Sequence, residues 1–172
     1  MCKTGNLRLV RHGIRFLEST YKYSSDLENT KFMLHLPHET IEETKAFLLS
    51  IDEEWKKESP EFFEFAILLE GKHIGAVSIY LYQDRSIGEL GWILDKDYQG
   101  YGYALEAAKQ AIRYGREKLN IKRFVAHCDS ENTASYRLME KLGMVAVCVN
   151  EDRKNRSSPE IRRELQYELE FD

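Results

Sequence analysis

The residues whose types and spacing most clearly suggest chemistry are Gln99, Gly100, Tyr101, Gly102, Tyr103 and Ala104. A strand-like run, Glu89 to Leu94, precedes them and ends in the polar turn Asp95-Lys96-Asp97; Leu105, Ala108, Ile112 and Leu119 then recur at near-helical spacing. Glycines at 100 and 102 let the backbone approach a ligand without a Cβ in the way. A helix that opens there leaves amides unpaired at the positive end of its dipole, which suits phosphate oxygens. The stretch lacks the Gly-Lys-Ser/Thr of a P-loop and the third glycine of a dinucleotide fingerprint. On this turn alone, an anion site and a plain strand-to-helix turn both remain open.

The elements that must position the turn follow from periodicity. Leu7–Val10 reads as a short strand, and residues 14–28 and 40–57 read as helices. The second helix opens with Thr40 and Glu43, a capping box, and presents Ile41, Phe47, Leu48, Ile51 and Trp55 on one face. Strands are expected over 62–69, 73–82 and 86–94, the first two joined by a hairpin at Glu70-Gly71-Lys72. After the helix that follows Gln99, a strand is expected at 121–128, a helix at 132–142, and strands near 143–150 and 161–171, with a surface loop over 150–159. The order implies an α/β fold: one domain over 1–172, with a mixed sheet of about six or seven strands flanked by about four helices.

Composition narrows the function classes. No apolar run reaches the ~20 residues needed to span a bilayer, and no signal-peptide core precedes Cys2, so a soluble cytoplasmic protein with no membrane partner is expected. A net charge of −4 argues against nucleic-acid binding. The basic run Arg153–Arg163 is an exception that suits a solvated loop, an acidic partner or phosphates. Cys128 and Cys148 sit in apolar runs and read as reduced core residues; no cysteine or histidine spacing suggests a metal site. A homodimer is compatible with the sequence.

A second stretch runs from Asn132 to Met144 and reads as a helix capped near Ser130 or Asn132, ending at Lys141 and Gly143. Together, Gln-x-x-Gly-x-Ala at 99–104 and Asn-x-x-Ser-x-x-Leu-Met-Glu-Lys-x-Gly-Met at 132–144 resemble the GNAT superfamily of acetyl-CoA-dependent N-acetyltransferases. Ala104-Leu105-Glu106-Ala107 and the Asn-x-x-Ser variant resemble its RimJ/RimL-like branch.

The resemblance implies an acyltransferase that moves an acetyl group from acetyl-CoA, without a metal, to a primary amine by direct attack. It implies that the amides from Gly100 to Ala104, with Gln99 starting the turn, hold the pyrophosphate of coenzyme A. By the same resemblance Trp92-Ile93-Leu94 pairs with the pantetheine arm as a further strand would, and Asn132 faces that arm or its water. Lys141 either approaches the cofactor or serves as a helix-end cation.

Glu89 is the expected base, acting directly or through water, with Glu151 and Glu164 as weaker alternatives. Where many relatives carry a tyrosine to protonate the leaving thiolate, this chain has Met139. Ser135, one helical turn earlier, is the expected substitute, ahead of Tyr136; a backbone-bonding role for Ser135 is equally open. Phe16, Tyr21, Tyr23, Phe32 and His35 are candidates for a wall of the acceptor pocket. The acceptor reading is a peptide or protein N-terminal amine. A small amine such as a polyamine or aminoglycoside is the alternative, and a non-catalytic acyl-CoA-binding module is a third reading.

Overall fold

Glu70 and Gly71 both adopt positive φ, 51° and 85°. This is the two-residue turn whose twist matches a hairpin. It joins strand β2 (Phe62–Leu69) to β3 (Lys72–Leu81). The computed structural model describes residues 7–172, so the reading of Cys2 and the first residues lies outside the described part. Around that hairpin stand β1 (Leu7–Arg11), β4 (Ile87–Leu94), β5 (Arg123–Asp129), β6 (Val145–Lys154) and β7 (Ile161–Glu170). They form one seven-stranded mixed sheet in the order β1-β2-β3-β4-β5-β7-β6, with β4 and β5 parallel and the other pairs antiparallel.

Among the described residues five α-helices accompany the sheet: α1 (Leu17–Ser24), α2 (Leu27–Thr30), α3 (Ile41–Glu54), α4 (Tyr103–Leu119) and α5 (Thr133–Lys141). α4 and α5 cover one face, where Phe63, Phe65, Val77, Ile79, Leu90, Phe124 and Met139 form the main core. α4 turns Ala107, Ala108, Ala111 and Gly115 inward, so its backbone comes close to the strands. A Cβ on Gly115 would stand 2.7 Å from the Phe124 ring. α1 and α3 pack against β2 and β3 on the opposite face, to which alternation directs Glu64, Ala66, Ala76 and Ser78. No helix among the described residues is long and apolar enough to cross a membrane.

Three expectations are corrected. The single helix over 14–28 is a 3-10 turn at Ile14–Phe16, then α1, then α2. The break falls at Asp26, whose carboxylate accepts from the Asn29 amide and caps a new helix. The loop over 150–159 is shorter than expected, because β6 runs on to Lys154. Arg153 is drawn inward there, its guanidinium donating to Glu164, Asn155 and the Phe32 carbonyl. Cys128 is buried as expected but Cys148 is exposed, since β6 is an edge strand.

A buried carboxylate ties this end of the sheet together. Asp129 is fully buried at the end of β5. It accepts from Arg162 on β7, from Asn155 and from the Glu131 amide. Burial pushes its carboxyl up, but Arg162, the Glu131 amide and Asn155 outweigh it and hold the pKa below the usual range. Arg156 in the same loop bonds Glu43 and the His35 carbonyl. The basic run of the sequence is therefore largely committed to internal partners.

Removing one member of a buried ion pair leaves the other uncompensated. Asp129→Ala is accordingly expected to destabilise the protein by about 3–5 kcal/mol in denaturant unfolding. A loss below about 1 kcal/mol would contradict the role given to Asp129. The wild-type contribution is present above the unfolded-state pKa of about 3.9 and is lost as pH falls through the lower folded-state value.

Candidate functional site

Pairing between β4 and β5 stops early. Ile87–Leu90 lie beside Arg123–Ala126, and beyond that point Gly91–Leu94 have no β5 partner. β5 continues to Asp129 but pairs only with β7. The two strands therefore splay, and a cleft of about 620 Å³ opens between Trp92-Ile93-Leu94, the start of α4 and α5.

At its mouth the chain turns through Gly100 and Gly102, both left-handed at φ 84° and 88°. Gly102 caps α4 without a side chain, and the first α4 amide to bond back is Glu106 to the Gly102 carbonyl. The amides of Gly102, Tyr103 and Ala104 have no partner among the described residues. The Cβ of any residue at 100 would point into open space. This is a backbone cradle with room for an anion.

Most residues singled out from sequence gather here. Trp92, Ile93, Leu94, Gln99, Gly100, Gly102, Tyr103, Ala104, Asn132 and Ser135 line the one cleft, and Tyr101 stands exposed in the turn. The Gln99 amide nitrogen donates to Asn29 Oδ1 at 2.6 Å and to the Leu94 carbonyl at 3.2 Å. Gln99 thus pins α2 to the end of β4. Asn132 caps α5, its Oδ1 accepting from the Ser135 amide at 3.3 Å. Met139 is buried in the core, whereas Ser135, Arg137, Leu138 and Lys141 border the cleft. Arg137 and Lys141 form no ion pair among the described residues, and an exposed helical arginine such as Arg137 carries no signal of its own in the sequence.

Glu89 lies on the other side of the splay, on the face of the sheet shared with α1 and α3. Its carboxylate meets His127 Nδ1 at 3.0 Å and accepts from the Tyr82 hydroxyl at 3.5 Å. The Glu89 bond lifts the His127 pKa above its ordinary value against the opposing effect of burial. His127 was missed in the sequence, where only a register connecting β4 to β5 could have paired it with Glu89. Glu164 is tied to Arg153 and Asn150, and Glu151 is exposed on β6, so neither shares this cluster. Of the aromatic wall, Phe32 borders the cleft, while Phe16 packs on His73 and Tyr23 is buried against His12. Among the described residues no group of acidic, histidine and cysteine side chains could hold a metal ion. A second hollow of about 540 Å³ lies at the far end of α4, away from every motif residue.

One more carboxyl was missed. Glu64 on β2 is 8% exposed and faces the same side as Glu89. Burial alone raises its pKa from 4.5 to about 8. The folded protein therefore holds a proton on Glu64 that the unfolded chain releases above about pH 4.5. This contribution is complete below that value and is lost as pH rises through about 8. Between pH 5 and 9 wild type is expected to lose stability relative to Glu64→Gln by a few kcal/mol, at roughly 1.4 kcal/mol per pH unit. Parallel stability curves for the two proteins would contradict the assignment.

Comparison with known proteins bears on the site. Residues 6–145 match the family profile of the acetyltransferase (GNAT) domain. An uncharacterized N-acetyltransferase of Bacillus subtilis, YnaD, is 35% identical over 129 residues, 74% of this chain and 72% of its own length. Two solved structures superpose with a TM-score of 0.82 each. One is spermidine N-acetyltransferase from Vibrio cholerae in complex with coenzyme A and spermine, at 16% identity over 95% of both chains. The other is RimL, a ribosomal protein α-N-acetyltransferase in complex with coenzyme A, at 18% identity over 100% of this chain and 97% of that one. At such identities the superpositions establish the fold.

Proposed function

The chain belongs to the GNAT acetyltransferase family, and on that premise we propose that it transfers the acetyl group of acetyl-CoA to a primary amine at the β4–β5 splay. The observation that carries this reading is the convergence of a helix start with no side-chain cap, two left-handed glycines and a strand edge without a β5 partner on one cleft. The Gly102–Ala104 amides would bind the pyrophosphate, with Arg137 and Lys141 on the rim for further phosphate charge. The open edge of Gly91–Ile93 would receive the pantetheine amides as an added strand does. Acetyl-CoA supplies an activated thioester, and the residues here orient it and manage protons.

Glu89, steadied by His127, accepts the proton that the amine must lose, directly or through water. Ser135 is the hydroxyl available on the cleft side of α5 to donate to the leaving thiolate. The acceptor reading remains a peptide or protein N-terminal amine. The net charge of −4 favours a cationic acceptor and keeps a small polyamine as the second reading.

Gly102→Val places a β-branched residue at φ 88° and crowds the cradle. Coenzyme A affinity by calorimetry is expected to fall at least roughly tenfold with an unchanged circular dichroism spectrum; unaltered affinity would remove the cradle. Glu89→Gln should lower kcat/KM about 100-fold near neutral pH, the deficit narrowing as pH approaches the amine's own pKa and free amine becomes plentiful. A pH profile superimposable on wild type would dismiss Glu89 as the base.

A further inference from the structure

Across the α1–α3 face of the sheet, one row of residues runs straight to the splay. The His12 amide bonds the Glu64 carbonyl, Glu64 pairs with Ser78, and Ser78 pairs with Gly91, the first β4 residue without a β5 partner. The neighbouring row is Phe62, Tyr80 and Glu89. Tyr80 therefore stands between the two carboxylates and stacks on Phe62 with ring centroids 4.9 Å apart. A Cβ at Gly91 would approach Ser78 Oγ to 2.7 Å, so the row is kept clear where it meets the cleft.

Glu64 is 8% exposed, and no side-chain hydrogen bond or ion pair holds its carboxyl among the described residues. Its oxygens are not among the fully sealed unpartnered atoms, so they keep some contact with solvent. A carboxyl held neutral by burial, with oxygens that still meet solvent, is placed to pair with a cation that reaches it. The titratable groups around it supply no cation. Tyr23 on α1 and Tyr80 on β3 are neutral phenols held up by burial. Burial keeps His12 and His73 uncharged, with pKa values of about 3 and 4. Glu89 is engaged with His127, Glu54 with Lys57, and Asp95 with Lys22. What these surroundings do not supply to Glu64 is a free positive charge.

We propose that Glu64 is the docking group for the acceptor: its carboxylate takes the acceptor's primary ammonium on the α1–α3 face, beside Tyr80 and next to Glu89. The assignment rests on the acetyltransferase reading and names an acceptor-binding residue for it. Docking is proton-balanced: neutral Glu64 plus an alkylammonium gives the ion pair and releases one proton to solvent. Glu89 takes one proton from the ammonium that is to react, and the free amine attacks the thioester carbonyl. Its second proton goes to the leaving thiolate, and Glu64 recovers a proton from solvent once its ammonium partner is consumed. Both a small diamine and a peptide N-terminus carry the required ammonium.

The test is calorimetric titration at pH 6.5, in buffers of different ionisation enthalpy, of the coenzyme A-loaded protein. One arm uses 1,4-diaminobutane and the other the tripeptide Ala-Gly-Ala with its C-terminus amidated. In at least one arm wild type should release about one proton per amine bound, and Glu64→Gln none, with affinity at least roughly tenfold weaker. The arm that binds identifies the source of the ammonium. In acetyl transfer, Glu64→Gln should raise KM for the amine roughly tenfold or more, with kcat within about threefold and coenzyme A affinity unchanged; Glu64→Asp should recover part of the loss. Equal proton release or equal KM in wild type and Glu64→Gln overturns the proposal, as does failure of both probes to bind. If amine binds with Glu64-dependent proton release but no thiol is ever freed from acetyl-CoA, the docking site stands and the acetyltransferase reading fails.

Discussion

The structure turns on the point where β4 and β5 part. Two sets of bonds hold the strands to different neighbours beyond Leu90 and Ala126. On one side, Asp129 draws the end of β5 onto β7 through Arg162 and onto the loop through Asn155. On the other, the Leu94 carbonyl at the end of β4 is taken by Asn29 and Gln99 from outside the sheet. A parallel pair that would otherwise continue is thus held open, and its unpaired edge becomes the floor of the cleft. Asp129 does not line the cleft, but its carbonyl accepts from the amide of Asn132, which does, and the end of β5 is held there by the partners that compensate its burial.

The two faces of the sheet divide the chemistry. On the α4 face the core is apolar and close-packed, and the cleft meets it at backbone amides and glycines. That is suitable for a ligand recognised by phosphate and amide groups. On the α1–α3 face the same strands carry Glu64, Ser78, Tyr80, Glu89 and His127. A thioester threaded through the splay would meet carboxylates on the far side. An amine approaching from there would find a docking charge and a base within adjacent rows of the sheet. In the proposed reading, donor and acceptor would be kept apart until they meet at Gly91.

Much of this was legible in the sequence, for identifiable reasons. The turn at 99–104, the Glu70-Gly71 hairpin and the Thr40–Glu43 cap depend on local backbone chemistry, so local residue types declare them. The gathering of Trp92, Gly102, Asn132 and Ser135 on one cleft was anticipated through resemblance, since no local rule connects segments so far apart. What escaped depends on strand register and long-range partners. His127 meets Glu89 only because β5 lies parallel to β4. Arg153 and Arg162 looked like a solvated run until Glu164 and Asp129 were brought to them. Cys148 looked like core because its valine neighbours did, and an edge strand left them all exposed. Glu64 sits in an apolar strand run, where the sequence signals burial and is silent about the missing partner.

Amide hydrogen exchange followed by mass spectrometry, with and without coenzyme A, tests the central claim most directly. If the splay and the glycine turn form one ligand site, coenzyme A should slow exchange in two segments together, Gly91–Leu94 and Gly100–Leu105, by roughly tenfold or more. Protection of neither segment, or protection confined to other parts of the chain, would contradict the account.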